Sequence, residues 1–261
     1  DLSSPEGREL AIRLITAPDP NGGIFVTNFP AKGFLAHDAL RQHREDLITV
    51  RVMGWSDGEP AVDYTVNAAI GVPYMTGSSA NGDQPVNHVL PAWDLMTGAY
   101  AAFATLAAER HRRLTGQGQE VTIPLSDVAI ASLGHMGNIA EVLAEGDRPR
   151  VGNALYGAFG REFTTADQRL VMITAITARQ WTGLLKSLDL VDAVAVVEAE
   201  LDVSFKRDEG LRYTHRERLF PLVEAAVAQV GFDDLKSRFA ANGVCWAPYR
   251  TLSDALQNEP R

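Results

Sequence analysis

Cysteine is almost absent: Cys245 stands alone in 261 residues, which excludes an internal disulfide framework and any metal site built from several thiolates. A reducing compartment, the cytoplasm, is therefore the expectation. No apolar run approaches the roughly 18 residues of a membrane span, and the opening DLSSPEGREL lacks the basic-then-apolar order of a signal peptide. No membrane association is expected. Positive charge is scarce, with 24 Lys+Arg against 33 Asp+Glu and a formal net charge of −9, so a general nucleic-acid binder is excluded, although an isolated basic pocket for one phosphorylated cofactor is compatible. Walker-A, GxGxxG, HExxH, CxxC and GxSxG patterns are also missing, and with them the sharper signals for nucleotide, nicotinamide, zinc-protease and serine-hydrolase chemistry. The histidines (His37, His43, His88, His111, His135, His215) are scattered without ligand spacing and read as solvent-facing or structural. No metal is expected. There is no initiating Met, and a chain that opens on Asp1 and stops at QNEPR reads as a piece of a longer protein.

What is present is the composition of a globular protein with a sizeable core, 46% hydrophobic and 22% charged, of a length that suggests one or two domains. Ser3 and Ser4 before Pro5 predict a helix from about Pro5 to Thr16. GIFVTNF (Gly23 to Phe29) and LITVRVMGW (Leu47 to Trp55) read as strands, with AHDALRQHRED between them as a helix. Strand, helix and strand make a parallel βαβ unit, whose ligands bind beyond the carboxyl ends of the strands. The segments Asn28 to Gly33 and Gly54 to Gly58 are therefore of interest.

Further on, VDYTVNAAIGVPYM predicts a short helix ending near Gly71 and Pro73, followed by the polar loop TGSSANGDQP. Asp94 precedes an Ala-rich helix of about five turns whose basic end, Arg110 to Arg113, suits the macrodipole. EVTIPL is a brief strand, and Ser126 or Asp127 is read as the cap of a helix over Val128 to Leu143. RPRVGNALYGAFGREF reads as a glycine-punctuated loop leading to the strand RLVMITAI; helices follow at about 178 to 188, 191 to 200, 216 to 229 and 232 to 241, closed by VCWAPY. The shift to Arg, Pro and Gly places a boundary between domains 1–150 and 151–261.

The stretch VNHVLPAWDLMTGAYAAFATLAAERHRRLTGQGQEVTIPLSD, Val86 to Asp127, resembles the family III CoA transferases, the formyl-CoA and carnitine-CoA transferase superfamily. DLSSPEGREL, TNFPAKG, LITVRVMGW, GNALYGAF, TTADQRLVMI and VCWAPYRTL fall in the family's order, so the resemblance covers nearly the whole chain. Each motif is weak alone; their order carries the assignment. The resemblance implies an α/β fold, with a Rossmann-like CoA-binding domain (1–150) lacking its N-terminal part and a smaller α/β domain (151–261) lacking its C-terminal segment. It also implies an interlocked homodimer, coenzyme A present only as part of the substrate, no permanently bound cofactor, and an acyl-CoA and a small dicarboxylate as partners. TNFPAKG, VDYTVN, VNHVLPAWD, LAAERHRRLTG and YGAFGREF point within the family to members that move CoA between the two carboxyls of one C5 dicarboxylate.

CoA transfer between acids through a covalent path needs a carboxylate that attacks a thioester, forming an anhydride reactive enough for the CoA thiolate to attack. By position, Asp94 is a helix N-cap; by resemblance, it is that nucleophile, with helix-terminal N–H groups favouring its ionised form and stabilising charge at the reacting carbonyl. Asp127 reads as a structural cap. Resemblance further implies CoA contacts at Asn28, Phe29 and Lys32 and along Pro60, Ala61, Val62 and Asp63. Phe29 is equally a packed loop residue, and Lys32, which could pair with a phosphate, reads by itself as a solvated one. Related racemases carry a proton-transfer His where this chain has Val62, which counts against proton-transfer chemistry here. The glycine loop Gly152 to Gly160, with Tyr156 and Gly157, would cover the intermediate and exclude water. Arg150 and Arg161 flank it and are expected to bind a free carboxylate by paired hydrogen bonds, against a plain reading as surface charge.

Overall fold

Ser4 starts the first helix as predicted: its hydroxyl accepts the Gly7 N–H at 3.0 Å, and Pro5 takes the first helical position, where no intrahelical donor is lost. This helix, α1, covers Pro5–Ile15. The computed structural model describes residues 1–258. The chain folds as two compact units, one made of Asp1–Thr76 with Asn81–Arg150, the other of Gly77–Ala80 with the segment from Val151 on. It is a mixed α/β protein, with a parallel sheet in the first unit and an antiparallel sheet in the second.

In the first unit, β1 (Ile24–Thr27) and β2 (Ile48–Met53) pair in parallel, as the βαβ pattern requires. The crossover between them carries a 3₁₀ turn, Gly33–Leu35, and α2, only His37–Arg41. The longer helix predicted there is cut short because Arg44 turns aside to bind the Asp46 carboxylate at 2.7 Å and the Ala17 carbonyl, which steers the chain into β2. Two helices follow, α3 (Asp63–Ala69) and α4 (Val72–Met75), and then the long α5, Ala92–Thr115. β3 (Gln119–Pro124) adds to the other side of β2 in parallel, giving the order β1-β2-β3. α6 (Leu125–His135) and α7 (Asn138–Glu145) replace the one helix predicted over Val128 to Leu143. Gly137, at φ 79°, divides them, since a left-handed residue cannot continue a right-handed helix.

Ala101 and Ala108 of α5 lie on the sheet against Ile48, Val50 and Ile123, in one cluster with Val128 of α6. Their small side chains let the helix come close to β2. A second cluster, Val66, Trp93, Leu125 and Ala129, joins α3, α5 and α6. Burial of Val66 and Trp93 contributes about 2 kcal/mol or more each, so the start of α5 is tied firmly to α3.

In the second unit β4 (Phe159–Thr164), β5 (Leu170–Ala175) and β6 (Cys245–Pro248) form an antiparallel sheet in that order. Part of the predicted glycine loop is thus a strand: Phe159 and Phe163 alternate inward along it, a period that Gly160 and Arg161 conceal. The helices are α8 (Ala178–Ser187), α9 (Val191–Leu201), α10 (Glu209–Thr214), α11 (Arg216–Val227), α12 (Phe232–Asn242) and α13 (Leu252–Asn258). Phe159, Phe163, Trp181, Phe205 and Phe239 fill the core between helices and sheet.

Candidate active site

Asp94 lies within the first turn of α5, as its third residue, and not at the cap, which is Pro91. Proline offers no side-chain acceptor, so the orphan N–H groups of the first turn must find partners elsewhere. They do. Ala92 donates to the Leu90 carbonyl at 2.8 Å and Leu95 to the Pro91 carbonyl at 3.1 Å. Trp93 and Asp94 donate to Asp63 Oδ2, at 2.7 and 3.2 Å. This corrects the expectation that these amides stabilise charge at a reacting carbonyl, because each already has an acceptor. The expected Asp127 cap is corrected in the same way: Pro124 is the cap of α6, Asp127 lies in its first turn, and among the described residues it accepts only the Ser126 hydroxyl, at 3.2 Å.

The residue that serves α5 is therefore Asp63, buried at 1% exposure. Four positions along α3, Asn67 points the same way: its Oδ1 accepts the Trp93 indole N–H at 3.1 Å and, at 3.0 Å, a bond from His88 Nε2. Because that oxygen is only an acceptor, His88 carries its proton on Nε2. The Tyr64 hydroxyl donates to the Val89 carbonyl at 3.2 Å, holding the approach to α5. Asp63 Oδ1, Asn67 Nδ2, His88 Nδ1 and Thr97 Oγ1 are all buried without a protein partner. The motif D-x-x-x-N, one helical turn apart, is the signal by which the pair Asp63 and Asn67 could have been found.

Against this buried network Asp94 is exposed, and its carboxylate makes no hydrogen bond among the described residues. Partial desolvation of the carboxyl, and then the nearby Asp63 charge, hold its pKa above the ordinary value of 3.8. An unencumbered, more basic carboxylate on a rigid helix start is suited to attack an acyl carbon.

Asn28, Phe29 and Lys32 stand exposed in the loop leaving β1, with Phe29 half accessible. Arg51, a buried cation in the middle of β2, organises that loop: it donates to the Phe29 carbonyl, to the Leu35 carbonyl at 3.2 Å, and to Glu120 at 3.0 Å. The one sequence signal of this role is a cation between Val50 and Val52 of a mostly apolar strand, which does not reveal its partners. Pro60 and Val62 are exposed and Ala61 half-buried beyond the end of β2, whereas Asp63 turns inward. Thr65 ties off α3 by accepting the Val62 N–H at 3.0 Å and donating to the Val62 carbonyl at 2.9 Å.

Arg150 closes the first unit, donating to the Tyr74 carbonyl at 2.9 Å and the Pro73 carbonyl at 3.3 Å. Tyr156, Gly157 and Arg161 belong to the second unit. Gly157 is left-handed at φ 79°, and the Tyr156 ring lies 4.8 Å from that of Tyr213. Arg161 pairs with Glu224 at 2.8 Å and lies over the rings of Phe163 and Phe220, at 4.7 and 4.9 Å. Among the described residues no group of three His, Cys, Asp or Glu could hold a metal, and no helix is long and apolar enough to cross a membrane.

The sequence model of CoA-transferase family III matches residues 1–260. The chain belongs to this family. It is 47% identical over all 261 residues to the 2-methylfumaryl-CoA isomerase of Chloroflexus aurantiacus, covering 63% of that protein. It is 29% identical over 234 residues to the succinyl-CoA:mesaconate CoA-transferase of Haloarcula hispanica, covering 84% of this chain and 54% of the relative. The chain thus spans less than two thirds of the length of these family III relatives. In fold it matches a CAIB/BAIF family protein from Brucella suis, with a TM-score of 0.72 at 23% identity over 99% of this chain and 67% of the other. A hypothetical protein from Mycobacterium tuberculosis matches with a TM-score of 0.76 at 20% identity, over 99% and 69%.

Proposed function

We propose that this chain carries the reacting carboxylate of an intramolecular CoA transferase that moves CoA between the C1 and C4 carboxyls of 2-methylfumarate, also called mesaconate. The observation that carries the reading is Asp94, an exposed carboxylate on an anchored helix start with no hydrogen bond among the described residues, in a chain 47% identical to a 2-methylfumaryl-CoA isomerase. Asp94 attacks the thioester carbonyl; the carbon–sulfur bond breaks and CoA leaves as the thiolate, giving a mixed anhydride. The thiolate then attacks the aspartyl carbonyl, releasing the free dicarboxylate and leaving an aspartyl-CoA thioester. The dicarboxylate attacks this thioester through its other carboxylate, CoA departs again, and its thiolate attacks the new acyl carbonyl. Asp94 is regenerated as a carboxylate, and no external acid is consumed.

Asn28, Phe29 and Lys32, with Pro60, Ala61 and Val62, form two neighbouring loops beyond the strand ends, the place where parallel sheets take ligands, and we assign them to CoA. Tyr156 and Gly157 are assigned to the loop that excludes water from the anhydride. Of the two arginines, Arg150 is the better anion partner: it binds neutral carbonyls, whereas the charge of Arg161 is matched by Glu224. A homodimer is the expected assembly, and the exposed Leu95, Phe103 and Leu106 of α5 support a covered face there.

The test is incubation of the protein with pure 2-methylfumaryl-C1-CoA and no added acid, read by chromatography for the C4 isomer, with hydroxylamine trapping and peptide mass spectrometry of Asp94. Isomer formation with an Asp94 adduct is expected. The similarity to the succinyl-CoA:mesaconate CoA-transferase favours, as a second reading, transfer between separate donor and acceptor acids; an adduct with turnover only on addition of a free acid identifies that enzyme. CoA binding without an adduct identifies an inactive binding subunit.

A further inference from the structure

Helix α5 is unusual in taking its N-terminal acceptor from another helix. Pro91 occupies the cap, and the Asp63 carboxylate, at the start of α3, holds the Trp93 and Asp94 amides at 2.7 and 3.2 Å. We propose that Asp63 is a positioning residue for the Asp94 nucleophile, fixing the backbone from which that side chain projects and holding a negative charge beside it. This rests on the assignment of Asp94 as nucleophile. It replaces the expected contact of Asp63 with CoA, which its inward orientation does not favour: the side chain is buried and one oxygen is already shared by two amides.

Geometry and electrostatics support the same role. The second oxygen, Oδ1, is buried without a protein partner, so the carboxylate is held in the interior chiefly through the start of α5. An ordinary N-cap serves its own helix and needs no buried charge from elsewhere. The titratable groups at this corner are Asp63 and Tyr64 from α3 and His88 from the segment before α5; α6, which packs on α3 and α5, carries Asp127 in its first turn, exposed and bonded to Ser126. Partial desolvation raises the proton affinity of Asp94 most, and among these groups Asp63 is the one whose charge raises it further. A like charge held at a fixed place keeps the nucleophile basic without occupying either of its oxygens.

The experiment compares the full chain with Asp63→Asn and Asp63→Ser, both of which keep an acceptor for the amides and remove the charge. The readouts are kcat/KM against pH with 2-methylfumaryl-CoA and the mass of the Asp94 adduct. Without the neighbouring anion the Asp94 pKa falls, so the acid limb is expected to move to lower pH, while turnover on the plateau drops about tenfold because the nucleophile is less basic and the backbone that carries it is less firmly held. The adduct still forms at Asp94. A purely structural role would lower the rate by one factor at every pH and leave the acid limb in place, and that outcome overturns the proposal, as do wild-type rate and profile. If neither variant folds, Asp63 is a structural residue and the proposal falls. Absence of an adduct in the unsubstituted protein instead defeats the Asp94 reading itself, and so separates the two failures.

Discussion

Asp63 and Asp94 share one helix start, and only the first is spent: Asp63 Oδ2 accepts two backbone amides of α5, while the Asp94 carboxylate makes no hydrogen bond among the described residues. This arrangement keeps the helix end satisfied by a buried acid and leaves an exposed one available for the proposed chemistry. It also separates what each substitution should do.

Asp94→Asn is expected to fold and to lose turnover by about 10³-fold or more, as removal of a covalent nucleophile does. Because the side chain is exposed and unbonded, thermal unfolding should stay close to that of the parent. A variant that is well folded and still isomerises 2-methylfumaryl-CoA would sink the assignment.

The pH dependence has a definite sign. As the proposed nucleophile Asp94 has to be ionised, and its pKa is raised above 3.8 by desolvation and by Asp63, so kcat/KM should fall as pH drops through that raised value. For stability the sense is opposite: a carboxyl with a raised folded pKa contributes stability that is full below the unfolded pKa and is lost as pH rises through the folded one. Asp94→Asn should therefore be no less stable than the parent at pH 7, measured by urea unfolding, and should gain nothing in acid.

Gly54, just after β2, lies against the segment that leads to Asp63. A Cβ there would meet the Ala61 nitrogen at 2.3 Å, a backbone contact that cannot be relieved by turning a side chain. Gly54→Ala is expected to cost about 1–3 kcal/mol in denaturant unfolding and to reduce turnover at temperatures where the variant is fully folded. Gly183→Ala, whose Cβ would meet the Asn242 carbonyl at 2.3 Å, gives a comparable clash at another place in the chain. If both lose stability and activity in equal measure, the Gly54 effect has no special link to the site.

Arg212 is fully buried and donates to the carbonyls of Phe205, Ala175 and Ile176 at 2.5, 2.9 and 2.8 Å, with Trp181 under its guanidinium at 5.4 Å. Arg212→Met leaves three carbonyls without this donor and should destabilise the second unit by roughly 2–4 kcal/mol. Arg212→Lys should rescue little, because a single ammonium cannot reproduce the planar fork. Calorimetric unfolding at parental temperature in either variant would refute this account of the core.

The elements legible in advance are those whose cause is local. Ser4 with Pro5 announces α1, and the β-branched runs of β1, β2 and β5 announce strands. β4 was hidden because Gly160 and Arg161 interrupt its alternation, and its strand state depends on pairing Phe159 with Ala175 and Phe163 with Val171. α10 escaped notice because six residues carry too short a pattern. Arg51 and Asn67 escaped because their partners, Phe29 and Leu35 for one and Trp93 and His88 for the other, are distant in the chain.

Residue order alone determined the family and marked Asp94, because short motifs in a fixed succession survive when no single motif is distinctive. Only the folded arrangement decided which acid is free. Asp63 and Asp94 lie 31 residues apart, and nothing in local spacing tells a buried amide acceptor from an exposed carboxylate; that distinction arises when α3 packs on α5 and the orphan amides of a proline-capped helix take the nearest carboxylate.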